Sequence, residues 1–469
     1  DGADASGCGP GEQFVVLDST RLRACSCERE DVRAAIDAAE HGDTVLVPAG
    51  TCTWTAGIEV AKDLVLAGSG SDSTTLVLDL PDDGVEDALF KFVPDDTARA
   101  NLDSLDEDTG LFDVSGIRFR GTGRTRNKFA LWLDNYQLPP VRRLRVHDCA
   151  FTDVHRAVQV KGYVHGVFYD NTLVNSNGSY PQGAGWQSFV NDRMALGSGK
   201  GWYIEDNDFS WTEGTAGGVC GAGNAGGGYV VRYNTVSGRM RGGDSYVETH
   251  GNQLSGIYGP QITEVYGNDL NAEGIGRVTN ARGGKNLYLN NVVSDPDMEI
   301  WEEYSDTQTS DTNPPGRCVE PGEGVGRQTC TDACICQKVH DSFFLNNRLS
   351  TPGGAVVNAV ATMDFERREG PEIVNDPPEL VENIEYFNFT TEFDGSTGCG
   401  CGPPADRPAT CTAGVGYWAT DQNCSDLAGM VGANPTTPLS GTLYRCVETD
   451  VWTAWYTPYA YPHPLRAAG

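Results

Sequence analysis

The chain has 469 residues and a formal net charge of −31, from 65 acidic and 34 basic side chains. Nucleic acid and anionic membrane surfaces are therefore poor partners, because both require basic patches. No run of about 18 apolar residues occurs, so we expect no membrane-spanning segment. With 58 glycines and 39% hydrophobic residues, the composition favours many turns and thin strands over packed helices.

The sequence contains 15 cysteines, most of them in local clusters. Such clusters usually form disulfides that staple loops in an oxidising compartment, so we expect a secreted or cell-surface protein. The start at Asp1 is what removal of a signal would leave. Zinc is the alternative, suggested by Cys-x-Cys pairs, and the odd count leaves at least one thiol free or bonded to another chain. The cysteines expected in disulfides are Cys8, Cys25, Cys27, Cys52, Cys318, Cys330, Cys334, Cys336, Cys399, Cys401, Cys411, Cys424 and Cys446.

The N-terminal part divides into an extension and the entry to a coil. Residues 1–29 form a Cys-containing extension with one strand at 14–17, and residues 30–41 form a short amphipathic helix. The segments GDTVLVPAGTCTW at 42–54 and DLVLAGSGSDSTTLVL at 63–78 follow. A helix, a Gly-Asp-Thr-Val strand, Pro-Ala-Gly-Thr and a Leu-x-Gly-x-Gly turn resemble the entry of pectin-lyase-like right-handed β-helix proteins. In that family the helix covers the open N-terminal end of the coil.

One sequence pattern then occurs four times, as WYIEDNDF at 202–209, YVVRYNTV at 229–236, ITEVYGNDL at 262–270 and NLYLNNVV at 286–293. Each copy alternates apolar and polar residues, as a half-buried strand does, and reaches an asparagine: Asn207, Asn234, Asn268 or Asn291. One strand per turn can stack on the previous copy, with the asparagines stacked inside the bends. The sequence therefore predicts an all-β, right-handed parallel β-helix (a solenoid) over residues 30–397, of roughly nine to eleven turns.

Two segments depart from the coil pattern. Residues 294–337 carry four cysteines, and we expect them to form an insertion stapled by disulfides. Residues 398–469 are rich in Cys, Trp, Tyr and Pro and resemble the C-terminal module of many bacterial secreted β-helix proteins, which ends in Tyr-Pro-His-Pro-Leu. We expect its aromatic side chains to plug the C-terminal end of the coil, with a sugar-stacking platform as the alternative.

Charged and titratable side chains concentrate between residues 232 and 285. Because residues one turn apart lie about 4.8 Å from each other in a coil, this density predicts a surface patch. The segment loosely resembles the active-site strands of chondroitinase B and alginate lyases, which carry Glu-x-Lys-Ser and then Arg-His-Gly one turn later. Glu264 matches the glutamate and Arg282 the arginine. Such lyases neutralise a uronate carboxylate and remove the proton alpha to it.

This chain also departs from the lyase pattern. Tyr266 stands in place of the lysine base, Gly267 in place of the serine and Gly283 in place of the histidine. Calcium is the one cofactor that the resemblance allows, with Glu264 as the remaining acidic ligand. The candidate catalytic residues are Arg282, Tyr266, His250 and Glu264, and the candidate substrate-binding residues are Arg232, Arg241, Arg277, Lys285 and Tyr258. The alternative is an outward ladder of paired charges formed by Arg232, Glu264 and Arg282.

Two classes of function follow. The first is a structural or glycan-engaging protein of the cell surface or matrix, whose partners are polysaccharide or other copies of itself, assembled into fibres. The second is a polysaccharide lyase, or a glycoside hydrolase that uses Asp206, Asp208 and Glu264 as neighbouring acids. The first is favoured because the lysine base is missing and an acidic surface repels anionic polysaccharides. Convergence of Tyr266, His250 and Arg282 in one open groove would favour the second.

Overall fold

Nearly all of the regular structure in this computed structural model is β-strand. It describes residues 7–103, 110–123, 127–136, 138–182, 194–215, 217–223, 227–240, 245–249, 260–301, 339–351, 354–363, 365–369, 372–376 and 380–467. In these ranges the α-helices are Arg29–Ala38 and Asp96–Asp103, and the 3-10 turns are Pro404–Asp406 and Pro464–Ala467. None of the helices described is long and apolar enough to cross a membrane.

Three long sheets form the walls of the molecule. Sheet A contains Phe14–Asp18, Arg21–Ala24, Thr44–Val47, Val65–Gly68, Phe112–Ser115, Val141–His147, Val164–Tyr169, Trp202–Glu205, Gly228–Arg232, Ile262–Tyr266, Lys285–Leu289, Ser342–Leu345 and Tyr386–Asn388. Sheet B contains Gly50–Trp54, Thr74–Leu78, Arg118–Gly121, Ala150–Thr152, Thr172–Val174, Asp208–Thr215, Thr235–Met240, Asp269–Leu270, Val292–Val293, Asn347–Leu349 and Val356–Val357. Sheet C contains Ile58–Val60, Asp87–Phe92, Lys128–Asn135, Arg156–Gly162, Asn177–Gln182, Cys220–Gly223, Ser245–Thr249, Arg277–Ala281, Met298–Trp301 and Ala359–Met363.

The order of the strands in the chain defines the architecture. From Thr44–Val47 onward the chain visits sheets A, B and C in turn, and each new strand pairs in parallel with the one a turn earlier. The exceptions are Val356–Val357, which pairs antiparallel with Asn347–Leu349, and the separate antiparallel hairpin of Phe365–Glu369 and Glu372–Asp376. Sheet A holds eleven such strands up to Tyr386–Asn388, within the described part of the chain. The protein is therefore a parallel β-helix, and the predicted fold class is confirmed.

A ladder of buried asparagines follows the bend between sheets A and B. The side-chain amide of Asn207 donates to Asn234 at 2.9 Å, Asn234 donates to Asn268 at 3.0 Å, and Asn268 donates to Asn291 at 2.9 Å. The same amides bond strand carbonyls, so the bend satisfies its backbone groups without water. The predicted asparagine stack is confirmed, and it also extends one turn beyond at each end.

The N-terminal end is covered as expected. The helix Arg29–Ala38 starts one residue before the predicted segment 30–41 and ends three residues before its end. It buries Val32, Ala35 and Ile36 against the first strands of the coil. The strand Phe14–Asp18 pairs antiparallel with Arg21–Ala24 and forms the N-terminal edge of sheet A.

Disulfides staple both ends of the described chain. The bonded pairs are Cys8–Cys25, Cys27–Cys52, Cys401–Cys424 and Cys411–Cys446. Cys399, expected in a disulfide, is instead a buried free thiol, as are Cys149 and Cys220. Its strand continues the end of sheet A, so its sulfur faces the carbonyl of Phe387 at 3.7 Å rather than another cysteine. Cys318, Cys330, Cys334 and Cys336 lie outside the described residues.

The C-terminal module begins at the last turn and then folds back over the coil. Its sheet contains Cys399–Gly402, Gly416–Ala419, Thr442–Glu448 and Val451–Tyr456, and Cys399 bridges Phe389 at the end of sheet A. Its aromatic side chains pack on the outer face of sheet A; Trp455, for example, lies 5.2 Å from Phe343 between ring centroids. We name residues 456–467, which continue along this face toward the N-terminus, the C-terminal strap.

Candidate functional site

Arg232 lies at the centre of the outer face of sheet A, beneath the C-terminal strap. It stands in register with Glu205 one turn before and Tyr266 one turn after. Its guanidinium donates to the Glu205 carboxylate at 2.7 Å and to the Tyr266 hydroxyl at 2.9 Å. Two further bonds, each of 2.9 Å, reach the strap carbonyls of Tyr459 and Ala460. With 0% of its surface exposed, Arg232 is an anchor for the strap in this structure.

Burial and charge set the protonation states of its two neighbours. Burial raises the pKa of Tyr266 to about 12, although the Arg232 charge acts in the opposite direction. Burial also acts to raise the pKa of Glu205, but Arg232 and the backbone N–H of His463 outweigh it and hold that pKa below its ordinary value. Glu205 is therefore a carboxylate paired with a guanidinium, and Tyr266 keeps its proton at neutral pH.

Glu264 is held by different partners on the same face. Its carboxylate accepts from the backbone N–H of Gly197 at 2.8 Å and from the hydroxyl of Tyr456 at 2.7 Å. It is buried, and burial raises its pKa to about 7, against the lowering effect of these two hydrogen bonds. Protonation of Glu264 therefore takes place near neutral pH.

The end of the strap binds a second acidic side chain. The carboxylate of Asp206 accepts from the Tyr461 hydroxyl at 2.9 Å and from the backbone N–H of Asn434 at 2.7 Å. Arg466 forms ion pairs with Asp206, with Glu205 at 3.1 Å and with Asp170 at 2.8 Å. The strap thus supplies hydrogen-bond donors to the acidic groups Glu205, Asp206 and Glu264.

Arg277 and Arg282 belong to a different face. We name the sheet C cluster the set formed by Glu248, Arg277, Asn280, Arg282, Glu299 and Trp301. Glu248, Asn280 and Glu299 are in register on three successive turns. Arg282 pairs with Glu248, and Arg277 pairs with Glu299 at 3.1 Å. Both guanidiniums lie over the Trp301 ring, at 5.1 Å for Arg282 and 5.7 Å for Arg277.

The candidate residues are therefore divided between two sheets. Arg232, Glu264 and Tyr266 lie on sheet A, whereas Arg282 follows a strand of sheet C. The ladder of paired charges proposed for Arg232, Glu264 and Arg282 is therefore not formed. Lys285 begins a sheet A strand and lies 3.4 Å from Asp341. His250, Arg241 and Tyr258 lie outside the described residues. Within the part of the chain that is described, no three His, Cys, Asp or Glu side chains are grouped as a metal site would require.

Four members of the sheet C cluster were not predicted from the sequence as candidate site residues: Glu248, Asn280, Glu299 and Trp301. Alternation within SYVET and RVTNA indicates which residues share a face of the strand. Their register across turns depends on insertions of unequal length, and the repeat spacing does not give it.

Comparisons with known proteins identify no family for this chain. No protein-family model and no curated protein matches the chain. Among solved structures, ORF18 of Geobacillus virus E2 is 14% identical, over 59% of this chain and 54% of that chain, with a TM-score of 0.25. A catalytic domain of a GH87 alpha-1,3-glucanase, in complex with nigerose, is 12% identical, over 73% and 65%, with a TM-score of 0.26. At these TM-scores neither likeness carries an argument on function, and the class remains that of a parallel β-helix.

Proposed function

We propose that the protein is an extracellular β-helix that engages polysaccharide without cleaving it. The observation that carries this proposal is the C-terminal strap, which covers the outer face of sheet A where Arg232, Glu264 and Tyr266 lie. The entry motif GDTVLVPAGT supports kinship with pectin-lyase-like proteins. A shared fold alone does not imply that the chain has the catalytic activity of those proteins.

The chemistry of the covered face argues against β-elimination there. A lyase needs a base that can lose its proton near neutral pH and a cation that is free to meet the uronate carboxylate. Tyr266 has a pKa of about 12, and the Arg232 guanidinium is already bonded to Glu205, Tyr266 and two strap carbonyls. Both groups serve the packing of the strap instead.

The proposed location outside the cytoplasm rests on the disulfides. Four are formed in the described part of the chain, two at each end. Disulfides of this number persist in oxidising compartments. They support the expectation of a secreted or cell-surface protein.

A panel of soluble polysaccharides tests the proposal. It should contain starch, laminarin and galactomannan as neutral polymers, and alginate and polygalacturonate as anionic ones. Affinity electrophoresis measures retention, and ultraviolet absorbance of the unsaturated product measures elimination. We expect retention by a neutral polymer and no absorbance change with any of them. An absorbance increase that Tyr266→Phe abolishes would establish the lyase instead.

Self-association is a second proposal, favoured by the edge of sheet A. Val16 and Leu17, on the edge strand Phe14–Asp18, are 66% and 43% exposed. An exposed apolar edge strand is a template for pairing with another chain. Val16→Lys should then lower the mass measured by light scattering at high concentration. An unchanged mass for both proteins, equal to that of one chain, would contradict it.

A further inference from the structure

The floor of the sheet C cluster contains polar atoms without partners. Asn280 is 2% exposed, and its amide oxygen accepts no hydrogen bond from the described residues. The indole N–H of Trp301 is also buried and makes no hydrogen bond within the described part of the chain. Buried polar groups are nearly always paired, so an open acceptor and an open donor in one cluster are groups to which a ligand can bond.

The rim of the cluster is reachable from solvent. The side chains of Glu248 and Glu299 are 29% and 23% exposed, and that of Arg277 is 30% exposed. Because neighbouring strands lie about 4.8 Å apart, Glu248 and Glu299 flank Asn280 at roughly that spacing on either side. The row presents carboxylate, amide and carboxylate groups along the axis of the coil, beside a partly exposed indole ring.

Charge selects the kind of ligand. Arg277 and Arg282 are already paired with Glu299 and Glu248, so the cluster offers a uronate no excess positive charge. The chain as a whole carries −31, which repels polyanions. Hydroxyl groups suit the row, since each donates to a carboxylate or amide oxygen and accepts from an indole or guanidinium N–H. Sugar sites combine such polar groups with an aromatic surface.

We propose that the sheet C cluster is a binding subsite for a neutral hexose polysaccharide, in which sugar hydroxyls bond the Asn280 oxygen and the Trp301 N–H. This inference rests on the proposed function and assigns it a place. The polymer runs along the coil axis, so that successive sugars meet Glu248, Asn280 and Glu299. The strap on sheet A stays in place during binding.

Asn280→Leu and Trp301→Phe test the subsite, with affinity electrophoresis in the retained neutral polymer as the probe. Each variant removes one open hydrogen-bonding group, so we expect roughly tenfold weaker binding, as the loss of one hydrogen bond implies. Asn280→Leu should leave the midpoint of urea unfolding unchanged or higher, because it removes a buried amide oxygen that has no partner among the described residues. A purely structural Asn280 would not separate binding from stability in this way.

Trp452→Phe is the matched control, because Trp452 also lies beneath a guanidinium, that of Arg407, but on the C-terminal module. Its binding should equal that of the natural protein. If the natural protein binds a neutral polymer and Asn280→Leu and Trp301→Phe bind equally well, the subsite is overturned while the proposed function stands. If it binds only the anionic polymers, the subsite is overturned and the proposed function stands; if it binds none of the polymers, both fail.

Discussion

Arg232 and Glu205 form an ion pair across adjacent turns of sheet A, with nitrogen and oxygen 2.6 Å apart and neither side chain exposed to solvent. Two charges are costly to remove from water, and this pair persists because the strap completes its hydrogen bonds. The pair therefore couples the last residues of the chain to the middle of the coil.

Removing one charge of this pair should strongly lower the free energy of unfolding. Arg232→Met leaves the buried Glu205 with only the Arg466 guanidinium, at 3.1 Å, as an ion-pair partner, and we expect a loss of about 3 kcal/mol in the free energy of unfolding, measured with urea. Arg21→Met is the control, because the Arg21–Asp18 pair is 3.8 Å long and about half exposed; it should cost less than about 1 kcal/mol. Equal effects of the two substitutions would contradict the buried network.

Glu264 should make stability depend on pH. Its pKa rises from 4.5 to about 7 on folding, so the folded state binds the proton more tightly. The stability that this proton provides is complete below pH 4.5 and is lost as the pH rises through 7. Glu264→Gln imitates the protonated form. The unfolding free energy of this variant minus that of the natural protein should therefore increase with pH, by on the order of 3 kcal/mol.

Urea titrations of both proteins at several pH values measure this difference. His463, whose pKa burial lowers to about 4, acts in the opposite sense, because its contribution is lost as the pH falls. It is present in both proteins and cancels in the comparison. A difference that does not change with pH would show that Glu264 is ionised in both states.

The asparagine ladder should be sensitive at any of its steps. Asn234→Leu removes donors to Asn268 and to the carbonyl of Ile204, and it removes the acceptor that the backbone N–H and the side-chain amide of Asn207 share. We expect a loss of about 2–4 kcal/mol, measured by urea unfolding, since buried polar groups lose their partners. Asn271→Leu, at an exposed position in the same region, should change stability little. Similar losses in the two variants would argue against the ladder.

The thiols should react in two groups. Alkylation of the denatured, unreduced protein should modify Cys149, Cys220 and Cys399, which are free. The eight cysteines of the four described disulfides should react only after reduction. Peptide mass spectrometry distinguishes the groups. Alkylation of Cys411 or Cys446 without reduction would contradict the disulfide of the C-terminal module.

The fold was predictable because its signals are local. Each repeated strand is recognised from the alternation of apolar and polar residues and from the asparagine that follows it. The helix before Thr44 is likewise recognised from neighbouring residues in the sequence. The covering of sheet A is a long-range contact between residues more than 200 positions apart, such as Arg232 and Tyr459. One local signal did exist: Tyr203, Val230 and Phe343 make the outward positions of sheet A apolar, and a strand apolar on both faces must be covered.

The candidate site was predictable only in part. Arg277 and Arg282 do meet, over Trp301, but the lyase pattern joined Arg282 to Glu264 and Tyr266, which lie on another sheet. A linear match cannot tell which of three walls a residue faces when the turns differ in length. Cys399 illustrates the same limit, because its neighbour Cys401 pairs and it does not.

A crystal structure of the full chain with a bound oligosaccharide of the retained neutral polymer tests the central claim most directly. We expect the sugar beside Trp301, within hydrogen-bonding distance of the Asn280 amide, while Tyr459 and Ala460 remain bonded to Arg232. A sugar bound over Arg232 and Tyr266, with the C-terminal strap displaced, would contradict it.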